Sequence, residues 1–298
     1  MADRQITWRP RLKYYVDILR TYQANNLGDA ELSLNFHKQL SALLETFWGT
    51  DPGRRRILEI GCGQRATQTI LFTADGFETS GIDVEVPTFR MTCKTFWQMA
   101  RVSGVERVLK STLRHWLFDG PFFRRLAELY GKPLPLDRAD VRVMSAARLE
   151  FPDNYFDFIY SSLVFEHIDD VPAAAREVNR VLKPQGRAWI NVHLFPSLTG
   201  GHQPEWTDSR RARTCIPPWD HLLENKYPAG IYLNKLRWAD YQQIFNHYLE
   251  VLEKTPRLES TLPLTPELEE TLGVKGYTRE DLLTSKVAFL CRKHEAQR

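Results

Sequence analysis

RRRILEIGCGQRATQTILFTADGFETSGIDVE, residues 54–85, decides the fold. Residues 57–60 are a short apolar run that meets two glycines, Gly61 and Gly63, as a buried strand does where it enters a tight turn. Residues 65–75 fit a following helix, and FETSGIDVE at 77–85 fits a second strand. A strand, a crossover helix and another strand make a βαβ unit, so the sheet is expected to be parallel.

The flanking segments extend this pattern. Residues 11–48 read as helical, with Leu34, Leu40, Leu43, Leu44 and Phe47 at helical spacing, and Asp51-Pro52-Gly53 stops them. Strand patterns return at DVRVMSA (140–146), FDFIYSSL (156–163), RAWINVHLF (187–195) and SKVAFLCRK (285–293), with a shorter one at 249–254. Helices are expected at 172–182, where Asp169 or Asp170 can cap the first turn, and at about 235–248. The expected fold is a single α/β domain over 1–298, with N-terminal helices in 1–52, a helical insertion at 87–140 and a long loop at 196–230. Long loops of that kind are often functional.

Composition bounds the function. A chain of 298 residues that is 43% hydrophobic can bury a substantial core, and a net charge of +3 gives no reason to expect nucleic acid. Cys62, Cys93, Cys215 and Cys291 form no C-x-x-C pair, so neither structural zinc nor a disulfide framework is indicated. The first residues carry charge without an apolar stretch, and no run approaches the roughly 20 apolar residues that span a bilayer. A cytoplasmic protein with no integral membrane segment is expected.

The sharpest candidate site is Glu59-Ile60-Gly61-Cys62-Gly63. Glycines let the backbone turn tightly and approach a ligand, and the next helix offers free N–H groups. Asp83, about twenty residues on, ends the second strand, where a carboxylate can accept both ribose hydroxyls of an adenosine. Two cofactors compete, because Gly61-Cys62-Gly63-Gln64-Arg65-Ala66 also fits the dinucleotide fingerprint. Glu59 discriminates: it would repel a pyrophosphate but favours the ammonium and sulfonium of S-adenosylmethionine.

ILEIGCG at 57–63 and GIDVE at 81–85 resemble the first two motifs of class I S-adenosylmethionine-dependent methyltransferases. LEFPDNYFDFIYSSLVFEHIDDVPAAAREVNRVLKPQGRAWI at 149–190 resembles the next part of the type 11 branch, which includes the ubiquinone and menaquinone methyltransferases. The resemblance implies a doubly wound, Rossmann-like, seven-stranded, mostly parallel sheet. It also implies that Glu59, Gly61 and Gly63 hold the methionine part of the cofactor and Asp83 the ribose. Ala146 and Ala147 would border adenine, and Ser161 and Ser162 the methionine moiety. Arg65 departs from the usual third glycine, and Ser145 stands where many relatives have an aspartate.

Methyl transfer to a hydroxyl benefits from a base, and histidine suits that near neutral pH. His167 follows the fourth strand, while His202 and His221 lie in the long loop; these are the candidates, His202 and His221 preferred. His193 falls in an apolar strand pattern and reads as a core histidine. Asp220 either orients an imidazole or caps the next helix. Asp169 and Asp170 fit capping, so no metal is expected. The insertion carries Arg90, Lys94, Arg101, Arg107, Lys110, Arg114, Arg124, Arg125 and Lys132, interleaved with Phe96, Trp97, Trp116, Phe118, Phe122 and Phe123. That pattern fits a lid for an anionic or amphiphilic acceptor, such as a phosphorylated sugar, a lipid-linked glycan or a membrane-surface substrate; it equally fits a helical cap with its aromatics in a private core. The expected activity is O-methylation of a glycan, sugar or related small molecule. The alternatives are a nicotinamide-dependent oxidoreductase and a cofactor-binding protein without catalysis.

Overall fold

The computed structural model describes residues 8–51, 53–90, 115–202, 216–259 and 264–294. Cys93, Lys94, Phe96, Trp97, Arg101, Arg107, Lys110, Arg114 and Cys215 lie outside them. Seven strands form one sheet: β1 (Arg56–Ile60), β2 (Glu78–Asp83), β3 (Asp140–Val143), β4 (Phe156–Ser162), β5 (Leu182–His193), β6 (Leu249–Leu258) and β7 (Thr284–Lys293). Their order is β3-β2-β1-β4-β5-β7-β6. β1 runs parallel to β2 and β4, and β4 parallel to β5; β7 is antiparallel to both β5 and β6. The mostly parallel, seven-stranded expectation is borne out. The strand order reverses between β1 and β4, and ligands bind such sheets outside the carboxyl ends at that switch point.

The chain divides into two compact units. The larger comprises 55–62, 78–84 and 142–298. Leu58, Ile60, Ile159, Ala188, Ile190, Val287 and Phe289 lie in its core, where parallel strands read as continuous apolar runs because both faces are covered. Helix α4 (Val171–Val181) starts where Asp170 accepts the Ala173 N–H at 2.9 Å, with Pro172 in the first turn. Asp169 instead accepts the N–H of Asp170, so the second of the two candidate caps does the capping. Helix α5 (Trp238–Tyr248) leads into β6. Beyond β6, helices α6 (Pro266–Val274) and α7 (Arg279–Leu283) are capped by Thr265 and Thr278.

The described parts of the 196–230 loop are packed. Trp219 is fully buried among Leu198, Leu222, Leu272 and Leu282, and its indole N–H donates to the Pro196 carbonyl at 3.0 Å. Asp220 accepts the Tyr227 N–H at 3.0 Å and so closes the following turn.

The smaller unit comprises 1–54, 63–77 and 85–141. It holds helices α1 (Trp8–Trp48), α2 (Thr67–Ala74) and α3 (Gly120–Tyr130). Along α1, Ala30, Leu34, His37, Leu40 and Leu44 recur at three- and four-residue spacing, which gathers them on one buried face. Arg65, the departure from the glycine pattern, is an anchor. Its Nε donates to buried Asp119 at 2.7 Å, its Nη2 to Asn26 at 2.6 Å, and its guanidinium lies 4.3 Å from the Phe122 ring centre. Phe122 and Phe123 are buried, so these two aromatics belong to the packing of this unit.

His37 is buried between Gln68 and Asp75, and Asp75 also accepts the Tyr130 hydroxyl. Burial alone would raise the Asp75 pKa, but the hydrogen bonds from His37 and Tyr130 outweigh it and hold the carboxyl below its ordinary value. A depressed carboxylate stabilises the fold above its unfolded-state pKa and loses that contribution as pH falls through the folded one. Asp75→Ala is therefore expected to cost about 1–3 kcal/mol at pH 7, and the deficit should shrink steadily below about pH 4. Denaturant melts at several pH values check this; a deficit that does not change with pH would refute it.

Candidate active site

Two clusters stand at the carboxyl edge of the sheet, both in the larger unit. The first is the acidic glycine turn. Glu59 on β1 is buried and pairs in register with Gly81 and Tyr160. Gly61, with φ +77°, sits in the left-handed region, and the N–H groups of Gly61 and Cys62 both donate to the Ile82 carbonyl at 2.8 and 3.0 Å. The turn is thereby fastened to β2 just before Asp83. Space also requires glycine at 61: a Cβ there would come within 2.1, 2.7 and 2.9 Å of three Val164 side-chain carbons.

Charge at this turn is negative. The buried Cys62 thiol is pushed well above its usual pKa by burial, then by Glu59 and Asp83, so both carboxylates bear on this side chain. The wholly buried Tyr160 hydroxyl is raised likewise, by burial first and then by Glu59. Gly63, which belongs to the smaller unit, has φ +65° and open space where a Cβ would be.

The other candidate cofactor residues frame the same edge of the larger unit. Ser161 is buried and donates to the Ile60 carbonyl at 3.0 Å, tying β4 to β1, while Ser162 accepts from Asn191 at 3.2 Å. Ala146 is buried and Ala147 half-buried in the turn after β3. Ser145 holds that turn: its hydroxyl accepts the Ala147 N–H at 3.2 Å and its carbonyl the Arg148 N–H at 3.1 Å.

The second cluster lies past the ends of β4 and β5. The His202 ring centre is 4.9 Å from that of His167 and 4.7 Å from that of His193. His167 Nδ1 lies 2.9 Å from the Tyr232 carbonyl, which can only accept; Nδ1 therefore carries the proton and Nε2 the lone pair. The Thr199 hydroxyl donates to Glu259 at 2.9 Å, so His193 Nε2, 2.8 Å from that oxygen, donates to it. His202, at φ +51°, has a buried Nε2 without a hydrogen-bond partner.

His221 is set apart from this group. Its Nε2 donates to the Phe195 carbonyl at 2.9 Å, and its ring packs so closely on Gly201 that a Cβ there would lie 2.6 Å away. Burial lowers His193 to about 3 and His202 and His221 each to about 4. These imidazoles are uncharged at neutral pH.

Glu166 was not among the sequence candidates. It is buried beside His167 with no side-chain partner at either carboxylate oxygen, and burial raises it to about 7 against the opposing pull of the Glu166 and His193 backbone N–H groups. Its backbone is nonetheless held firmly. Asn234 donates to the carbonyls of Phe165 and Ile168 at 2.7 and 3.0 Å, and its own N–H donates to the Glu166 carbonyl at 2.9 Å. The one sequence signal was its place directly after a buried strand.

A family model described as Methyltransferase domain matches residues 33–248 of this chain. The chain belongs to the methyltransferase family. This bears out the resemblance to class I S-adenosylmethionine-dependent methyltransferases, with which the type 11 branch is consistent, and with it S-adenosylmethionine as the cofactor. The uncharacterized methyltransferase Mb0092 of Mycobacterium bovis is 26% identical over 121 residues, 40% of this chain and 59% of that one. The uncharacterized protein YafE of Escherichia coli is 55% identical over 51 residues, 17% of this chain and 25% of its own. The matched part thus spans about three fifths of the first relative's length. The PH0226 protein of Pyrococcus horikoshii has a solved structure with TM-score 0.43 and 14% identity, covering 86% of this methyltransferase and 89% of that chain.

The acidic turn fits the cofactor. S-adenosylmethionine carries an ammonium and a sulfonium, and a turn on which two carboxylates bear favours them over a pyrophosphate. Among the described residues of this methyltransferase, no helix is long and apolar enough to cross a membrane.

Proposed function

We propose that this methyltransferase moves a methyl group from S-adenosylmethionine to a hydroxyl oxygen of a glycan, sugar or related small acceptor, anionic or lipid-linked. The observation that carries the donor half is the left-handed Gly61 turn, fastened to the Ile82 carbonyl between buried Glu59 on β1 and Asp83 at the end of β2. Glu59 with Gly61 and Gly63 would hold the methionine end, Asp83 the ribose hydroxyls, and Ala146 and Ala147 would border adenine. Ser161 and Ser162 would flank the methionine moiety. S-adenosylmethionine, when bound, supplies a methyl group already activated on sulfur. The chain's task is then to position the acceptor and exclude water.

The acceptor oxygen is activated at His202. Two observations support that choice: its Nε2 has no partner and its ring stands 4.9 and 4.7 Å from those of His167 and His193, whereas His221, whose Nδ1 is also unpartnered, is packed on Gly201 apart from that group. The excess of Arg and Lys between 86 and 136 supports an anionic acceptor, and the insertion that carries it would act as the lid.

His202→Ala is expected to lower kcat about 10²–10⁴-fold while leaving affinity for S-adenosylhomocysteine unchanged. His221→Ala should instead lower thermal stability, with a smaller effect on kcat. The assay is methyl incorporation into a panel of phosphorylated sugars and lipid-linked glycans, with the modified atom located by mass spectrometry. Methyl on nitrogen or carbon, or a His202→Ala variant of full activity, would refute the reading.

A further inference from the structure

Glu166 poses a problem that the cofactor site does not answer. The residue is only 3% exposed, and no side chain bonds either carboxylate oxygen; of hydrogen-bonding groups, only the backbone N–H groups of Glu166 and His193 bear on it. An unpaired buried carboxylate is costly, and such a group calls for a missing counter-charge or ion. Lys286, on β7 opposite His193, is near enough to influence Glu166 but makes no ion pair with it.

We propose that Glu166, His167 and His202 form a binding site for one divalent first-row transition ion of zinc-like preference. Each of the three offers one ligand atom, and these atoms all lie within 4.8 Å of one another. A tetrahedral zinc site with metal–ligand bonds near 2.1 Å needs separations of about 3.4 Å, so the three atoms must draw together by up to about 1.4 Å. Side-chain rotation of half-buried His167 and His202 can supply that movement, and the deeply buried Glu166 gives the fixed point.

Each of the three residues offers a lone pair to an ion once the atoms draw together. Donation from His167 Nδ1 to Tyr232 leaves Nε2 as the ligand atom and orients the ring, the usual outer contact of a metal-binding histidine. His202 Nε2 is unpartnered, and no side chain bonds the Glu166 oxygens. The Asn234 bonds around 165–168 fix the backbone that carries two of the three ligands. Two imidazoles and one carboxylate favour zinc-like ions over magnesium or calcium, and three protein ligands leave one position open. A hydroxyl acceptor at that position would be acidified by the ion, with the His202 lone pair then engaged by the metal instead of taking the proton. In that respect the inference rests on the proposed O-methylation, whereas ion binding itself does not. It also departs from the sequence expectation of no metal, which weighed the four cysteines and Asp169 and Asp170.

The full-length protein, stripped with chelator, is titrated with Zn²⁺ by calorimetry, and its metal content is measured after dialysis. One ion per chain is expected, with affinity at least about tenfold weaker in Glu166→Gln and in His202→Ala. With Co²⁺ the native protein should give visible bands that Glu166→Gln loses. Titration with S-adenosylhomocysteine runs in parallel, so that retained binding shows each variant folded; His167→Gln replaces any variant that is not. No Zn²⁺ binding, or equal binding by native protein and all variants, overturns the site while leaving the methyltransferase reading in place. Zn²⁺ binding without S-adenosylhomocysteine binding would do the reverse.

Discussion

Replacing Gly61 by alanine is expected to abolish measurable binding of S-adenosylhomocysteine and to destabilise the protein by about 2–4 kcal/mol. Two separate costs combine. The backbone at φ +77° suits glycine, and any side chain there costs about 1 kcal/mol. The added Cβ would also stand 2.1 Å from Val164 Cγ2, which belongs to the backbone turn ahead of Glu166 and His167 rather than to a mobile surface group. Val164 must shift or the Gly61–Cys62 turn must lift from Ile82, and the second outcome destroys the bed for the methionine end. Val164→Ala in the same chain should recover most of the steric part, since only the Cβ contact at 2.9 Å remains, and leave the backbone part. Calorimetry and denaturant unfolding of the single and double variants check this. Equal stability of Gly61→Ala and the native protein would contradict it.

Asp83→Ala should weaken S-adenosylhomocysteine by about a hundredfold, since two hydrogen bonds from ribose to a charged carboxylate would be lost. Glu59→Gln should weaken it as well, through loss of charge opposite the ammonium. Native protein is expected to ignore NADH, because the pyrophosphate would meet two carboxylates. A native chain that binds NADH and not S-adenosylhomocysteine would overturn the cofactor assignment. An Asp83→Ala variant with full affinity would leave the cofactor standing but remove the ribose contact.

What could be read from the sequence follows from where physical signal is local. The β1 turn announces itself because an apolar run meets glycines within a few residues, and Asp170-Val171-Pro172 spells a helix start in three letters. β6 was expected only over 249–254, yet it runs to Leu258. Residues 252–258 are all exposed and include Glu253, Lys254, Pro256 and Arg257, so no apolar alternation marks them; backbone pairing with β7 makes them a strand. Such a polar, proline-bearing edge also discourages pairing with other chains. Helices α6 and α7 carried legible caps in Thr265-Pro266 and in Thr278 with Asp281, but their buried faces rest on single residues, Leu272 and Leu282. The departures at Arg65 and Ser145 could not be interpreted from spacing alone, because their partners Asn26, Asp119 and Ala147 are set by tertiary packing or a local turn. Glu166 was hidden for the same reason: a glutamate looks solvated in sequence, and only the surrounding strands reveal that it is enclosed.

The bonds of Asn234 carry a consequence for the order in which the enzyme becomes competent. The turn at Gly61 is closed by Ile82, about twenty residues downstream, so a growing chain can form it early. The backbone around Glu166 and His167 waits for a side chain that lies 66–69 residues further on. Tyr241 in turn donates its hydroxyl to Asn234 at 3.1 Å, which delays the arrangement until α5 has docked. During synthesis the Gly61 turn can therefore close before the backbone around Glu166 and His167 is fixed.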